Sequence, residues 1–313
     1  MSRSRSAGLL AVLPLYLLVA TSLGFVDYHM RAYPDRGYAE YSTGVVQNTE
    51  DAPGRYRVLA PFAFQALTRV SGLAPRESWV LFRWLCLMAA LLAGHVYLRT
   101  WFRTPAAVTG NLLVMALLPL TFTNGWAHPD HLMELALFTL ACACLARGWL
   151  AAFVAVLVLN ALNRETSVLL VVLFFASRPV TRDHLFWTAG VALTWLSTTA
   201  GLRWWRGFSA YDVWQAARNL DRLSLGDAAH DPYARAYAWF AVLILAAFTW
   251  LTVRAWARQP RFTRAALTVV TPALLATAFL ASSIDETRIF TPLLPLLVPG
   301  ALRGLVDVAD DEG

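Results

Sequence analysis

Long apolar runs, each broken by a short arginine-bearing segment, dominate the chain. A helix needs about 20 apolar residues to cross a hydrocarbon core of ~30 Å. On that measure the pattern predicts spans near 7–26, 78–98, 105–123, 131–146, 148–162, 165–177, 184–201, 237–253, 265–283 and 288–303. The expectation is all-α: a polytopic transmembrane helical bundle of about ten spans, forming a single membrane domain over residues 1–313. Two long segments, 27–77 and 202–236, lie outside the runs. Within the first, YRVLAPFAFQALTRVSG has the amphipathic spacing of an interfacial helix opening near Pro61. Val58, Phe62, Leu67 and Val70 are expected on the membrane, with Arg57, Gln65 and Arg69 turned away.

The middle of the chain departs from this rhythm. Spans four to six have only 12–16 residues before a polar break, enough for about 18–24 Å at ~1.5 Å per residue. These are short broken core helices. The sharpest break is Asn163-Arg164-Glu165-Thr166 inside LAAFVAVLVLNALNRETSVLLVVLFFA. Non-helical backbone and charge at membrane depth are tolerated only against protein or a water-filled cavity. Two chain paths compete: a hairpin turning at Arg164, or one long helix over 148–177. Arginine counts arbitrate. With the hairpin, one side of the membrane carries 12 Arg against 5 acids and the other 14 against 15. The arginine-rich short loops then share the cytoplasmic side, with both termini. Trp79, Trp126, Trp204, Trp205 and Trp239 form the outer aromatic belt on this reading.

Composition agrees with the pattern: 58% of residues are hydrophobic and mean hydropathy is +0.51. All 26 basic residues are Arg, and no basic face stands apart from the membrane loops. The net charge of +6 therefore implies no nucleic-acid partner. Cys86, Cys142 and Cys144 lie inside apolar runs, where thiols serve packing. Residues 1–26 read as an uncleaved anchor. The location implied is the cytoplasmic membrane of a bacterium, with membrane lipid as the first partner.

Unusual residues gather on the outward side. Asp130, His131 and Glu134 in HPDHLME share one helix face at i,i+3 and i,i+4 spacing. They are candidate ligands for a divalent cation, or Asp130 caps the helix. Trp204 and Trp205 between Arg203 and Arg206 suit stacking on a sugar ring and pairing with phosphate, or belong to an interfacial helix. Glu286 and Arg288 stand at the mouth of the last span. Apart from Arg83, no ionisable group lies deep in a span, so the inner half is expected to be apolar. That pattern disfavours an ion-coupled carrier.

A carboxylate can take the proton of an attacking hydroxyl, and Arg can offset charge on a departing phosphate. Asp27, Asp130, Glu134 and Glu165 are the candidate catalytic carboxylates. Arg57, His131, Asn163, Arg164, Trp204, Trp205, Glu286 and Arg288 are candidate substrate-binding residues. The chemistry fits glycosyl transfer from a lipid phosphate. It also fits a lipid-phosphate phosphotransferase or phosphatase, and a lipid flippase or transporter or a non-catalytic membrane partner protein stays open. In layout the chain resembles the GT-C-fold membrane glycosyltransferases. The matching parts are Asp27 in GFVDYHM after the first span, RYRVLAPFAFQAL, and the short spans around HPDHLME and NRET. That resemblance implies a polyprenyl-phosphate-linked sugar donor, a glycan, lipid or protein acceptor, and an extracytoplasmic site. It makes Asp27 the catalytic base, with Arg164 and Arg288 holding the donor phosphate.

Overall fold

The computed structural model describes residues 3–30, 35–121, 130–209, 214–217, 219, 243, 246–281 and 287–311. Of these, the side chains at 3–9, 27–30, 35–36, 120–121, 287–288 and 306–311 lie outside the description. All regular structure among the described residues is helical. The helices are α1 (Arg3–Met30), α2 (Asp35–Gln47), α3 (Leu59–Ser71), α4 (Pro75–Leu98), α5 (Thr104–Leu117), α6 (Asp130–Arg147), α7 (Leu150–Asn163), α8 (Val168–Ala176) and α9 (Arg182–Arg206). Then come α10 (246–254), α11 (Arg261–Ala281) and α12 (Leu294–Asp311). Two of them, Pro75–Leu98 and Arg261–Ala281, are long and apolar enough to cross a membrane.

Local chemistry sets the boundaries. Pro75 opens α4, where a missing N–H is harmless, and Glu77 accepts a hydrogen bond from the Ala74 N–H at 3.3 Å. Thr181 caps α9 by accepting from the His184 N–H at 3.2 Å. Gly148, at φ 73°, makes the tight reversal between α6 and α7 in a conformation that side chains with a Cβ rarely adopt.

Long-range contacts give the direction of each helix. Tyr16 meets His95 and Thr21 meets Trp84, so α1 and α4 run antiparallel. The Arg147 side chain bonds the Val96 carbonyl and Thr100, which joins the last turns of α6 and α4. Trp195 meets Ser167 and His184 meets Phe175, so α8 and α9 are antiparallel. One end of the bundle therefore collects the start of α4, α6 and α8 with the ends of α7 and α9. Rings of α2 and α3 close over that end: Tyr38 packs on Phe64 and Phe64 on Phe82 of α4, at centroid distances of 5.1 and 6.0 Å.

The helices approach closely where residues are small. A Cβ on Gly300 of α12 would press on the Thr252 side chain of α10, and one on Gly304 would meet the Leu251 carbonyl. Glycines four apart let backbones touch, a packing mode favoured where lipid removes the hydrophobic drive between helices. Gln259 then reaches the Gly300 carbonyl at 2.9 Å.

Several expectations need correction. The half of the bundle remote from α2 and α3 is not purely apolar. There Tyr16 Oη lies 2.8 Å from His95 Nδ1 and accepts from Asn111 Nδ2 at 2.9 Å. Trp79 does not belong to a surface belt, being 1% exposed in the core. In α3 the membrane-facing set is split: Phe62 and Val70 are exposed, but Val58 is buried and Leu67 packs on the core. Arg57 and Gln65 do not face solvent, because Arg57 pairs with Glu165 and Gln65 donates to Ser42 and Thr43. Helix α2, which the sequence reading did not anticipate, supplies those hydroxyls and explains the difference. Trp126 and Trp239 lie outside the described residues.

Candidate functional site

The site is built on a break in the chain. Helix α7 ends at Asn163, Arg164 takes extended backbone angles (φ −156°, ψ 151°), and Glu165–Ser167 form a single 3-10 turn before α8. The chain reverses here. Phe153 of α7 and Phe174 of α8 stack at 5.6 Å, whereas a continuous helix would hold them about 30 Å apart at ~1.5 Å per residue.

Each residue of the break is held by a different neighbour. Arg164 Nη1 donates to Glu134 Oε2 at 3.0 Å, with side-chain exposures of 7% and 1%. Thr166 donates to the other oxygen of Glu134. Asn163 Nδ2 donates to the Asp130 carbonyl at 2.9 Å, and Trp195 Nε1 donates to Ser167 Oγ at 2.9 Å. Glu165 Oε2 accepts from Arg57 Nε at 3.2 Å in a half-buried pair that ties the segment before α3 to the break. Desolvating two ions is expensive, so a buried pair such as Glu134–Arg164 needs close geometry and further hydrogen bonds. Thr166 supplies one.

Asp130, His131 and Glu134 are all buried at the start of α6. The charge of Asp130 extends across the site. Burial raises the Tyr41 phenol of α2, and Asp130 raises it further. Burial pulls the Arg57 guanidinium down, but the charges of Glu165, Tyr41 and Asp130 outweigh it and the net shift is upward. Arg83, also buried, sits 4.9 Å above the Trp79 ring. It acts against Asp130 on the Tyr38 phenol, which burial and Asp130 hold well above its ordinary value. Arg57, Arg83 and Arg164 thus stand against Asp130, Glu134 and Glu165, so the described cluster is formally neutral.

Not every polar atom of the break is satisfied. Asn160, one turn before Arg164, is 0% exposed, and neither Nδ2 nor Oδ1 has a hydrogen-bond partner. The same holds for Asn163 Oδ1, Arg164 Nε and Glu165 Oε1. Buried polar groups are paired as a rule.

Of the residues expected from sequence, Arg57, Asp130, His131, Glu134, Asn163, Arg164 and Glu165 come to this one end of the bundle. Trp204 and Trp205 do not join the buried cluster. They sit on the last turn of α9, 81% and 60% exposed, and Trp205 lies 6.2 Å from Phe62. Asp27 lies in the last turn of α1 and Arg288 in the 3-10 turn Thr287–Leu293, but their side chains are outside the description. Glu286 lies outside the described residues. The divalent-cation set fits poorly: Glu134 gives its two oxygens to Arg164 and Thr166. Among the described residues no three His, Cys, Asp or Glu converge. Asn160 was missed by sequence reasoning. Its signal was a lone amide inside AAFVAVLVLNAL. Comparison with protein-family models, curated proteins and solved structures gives no match to this chain.

Proposed function

We propose that the protein is an integral membrane glycosyltransferase of GT-C-like architecture, taking sugar from a polyprenyl-phosphate donor on the outer face of a bacterial cytoplasmic membrane. On this reading about ten spans cross the bilayer, both termini are cytoplasmic, and the α7–α8 break opens outward. The supporting observation is the grouping of ion pairs Glu134–Arg164 and Arg57–Glu165 with Asp130 at one end of an apolar bundle. Charged groups inside spans mark functional sites.

The acceptor is a glycan, lipid or protein hydroxyl. A carboxylate, Asp27 or Asp130, takes the hydroxyl proton as the oxygen bonds to the anomeric carbon. The bond from that carbon to the phosphate oxygen breaks, and the lipid phosphate leaves with the electron pair. Arg57 on the half-buried rim, and Arg288, meet its charge. Glu134 and Glu165 are positioning residues, because their oxygens hold Arg164, Thr166 and Arg57. The same grouping of Arg and carboxylate favours a second reading, a lipid-phosphate phosphotransferase or phosphatase.

The test is turnover in nanodiscs supplied with a hexose-bearing polyprenyl phosphate. Transfer yields bare polyprenyl phosphate and a hexosylated acceptor, whereas the second reading yields inorganic phosphate or a phosphorylated product. Asp27→Asn with Asp130→Asn abolishes transfer at unchanged folding. Undiminished turnover in that double variant overturns the proposal.

A further inference from the structure

The unpaired atoms at the break have a chemical pattern. Asn160 offers two N–H donors on Nδ2 and an acceptor on Oδ1, and Arg164 Nε adds one donor. Asn163 Oδ1 and Glu165 Oε1 add acceptors. A phosphate presents acceptors alone, so it satisfies the donors and is repelled by three oxygens. A cation has the opposite mismatch. Hydroxyl groups on a ring both donate and accept, and match the set without adding charge.

Charge balance points the same way. Arg164 already carries the carboxylate of Glu134 at 3.0 Å, and Arg57 that of Glu165 at 3.2 Å. A neutral ligand leaves both pairs intact.

The position of Asn160 adds weight. Its neighbours on the buried face of α7 are Phe153, Val156, Leu157 and Ala161, all apolar. Asn163 fixes the antiparallel register with Asp130, which sets Asn160 one turn deeper, opposite the Glu134 turn of α6. A buried amide without a partner is destabilising, and Leu would fill that stripe without the penalty. The amide therefore has a use that apolar packing does not supply.

We infer that Asn160, with Asn163 Oδ1, Arg164 Nε and Glu165 Oε1, forms a subsite for the hydroxyls of a neutral sugar ring and selects glycosylated over bare lipid phosphate. The inference rests on the glycosyltransferase reading. It moves Arg164 from the phosphate to the sugar and leaves the phosphate to the rim.

The test is a native mass-spectrometry titration of the full chain in detergent, with two probes. One is a short polyprenyl phosphate; the other is the same lipid carrying glucose, mannose or galactose in turn. Wild type prefers at least one glycosylated probe by roughly tenfold or more, the scale of one or two net hydrogen bonds. Asn160→Leu removes that preference, leaves affinity for the bare probe unchanged and keeps or raises Tm. Asn160→Ser, which adds no bulk, is read by the same criterion if the leucine variant does not fold. Arg57→Gln weakens both probes. If the preference survives in the Asn160 variants, the subsite is overturned while the proposed function stands. A large loss of Tm in both variants makes the amide structural and also overturns it. Wild type binding both probes equally removes the sugar subsite and favours the phosphotransferase. Binding of neither probe removes the subsite and the proposed function together.

Discussion

The two ends of the bundle bury polar groups in opposite ways. At the end remote from α2 and α3, Asn111 donates to both Tyr16 Oη and the Leu91 carbonyl, and Tyr16 reaches His95. Arg99 donates to the Phe102 carbonyl at 2.8 Å, and Arg147 bonds Val96 and Thr100. Those groups are matched inside the protein; Tyr97 Oη is the exception, beside a small cavity lined by Gly94, Asn111 and Thr139. At the α7–α8 break, by contrast, ion pairs coexist with unmatched atoms on four successive polar residues of one strip. A closed network specifies how helices pack. A network with unmatched donors and acceptors at its centre is arranged for something outside the chain.

The largest effect should come from the buried pair. Glu134→Gln leaves Arg164 charged and uncompensated, which costs about 3–5 kcal/mol. The double variant Glu134→Leu/Arg164→Met should recover most of that loss, because apolar groups of similar volume replace a buried pair well. Unfolding in a mild detergent, followed by helical circular dichroism, measures both. A Glu134→Gln protein as stable as wild type would mean the pair is not truly desolvated. Turnover separates the roles: the double variant is stable but inactive.

Next is the closed end. Gly94 lets the Asn111 side chain lie against α4, and an added Cβ would collide with Oδ1. Gly94→Ala should lose about 1–3 kcal/mol, the usual penalty of overpacking, with little change in KM. Asn111→Ala in the same chain should relieve the clash and lose less than the sum of the two single changes. A strong KM effect from Gly94→Ala would break the contrast, since it would make the closed end part of the site.

The legible and illegible parts divide along physical lines. The break at Arg164 was readable because an Arg–Glu pair interrupts an apolar run, and charge there demands a reason whatever the tertiary structure. The gathering of Asp130, Glu134 and Arg57 near it was readable only as far as all fell on one side of the predicted spans. Which partner each takes depends on helix rotation, and apolar runs without a clear polar face do not set rotation. Trp79 went wrong for that reason: its position near a span end suited a belt, but its azimuth points it inward. The Tyr16–His95–Asn111 contacts join residues 79 and 95 positions apart, and no local pattern announces them. Helix α2 hid in a polar segment read as connection, and that omission misplaced Arg57 and Gln65. Asn160 was visible as an amide among aliphatics, but only its lack of partners gives it meaning.

The smallest effect on stability sharpens the contrast within the site itself. Arg57 and Glu165 form a pair at 3.2 Å with side chains 18% and 35% exposed. Water screens such a pair, so Arg57→Gln should change unfolding stability by about 0–1 kcal/mol. Raising salt to ~1 M, where the Debye length falls to about 3 Å, should shrink even that difference. The Glu134→Gln loss should hardly respond to salt, because its partners are dry. Turnover should rank differently: Arg57→Gln removes the rim cation proposed to meet the lipid phosphate, so activity falls while the fold holds. A salt-insensitive stability loss as large as that of Glu134→Gln would make the rim pair a structural clasp. Arg57 would then join the closed end of the bundle in kind, and the phosphate would need another cation.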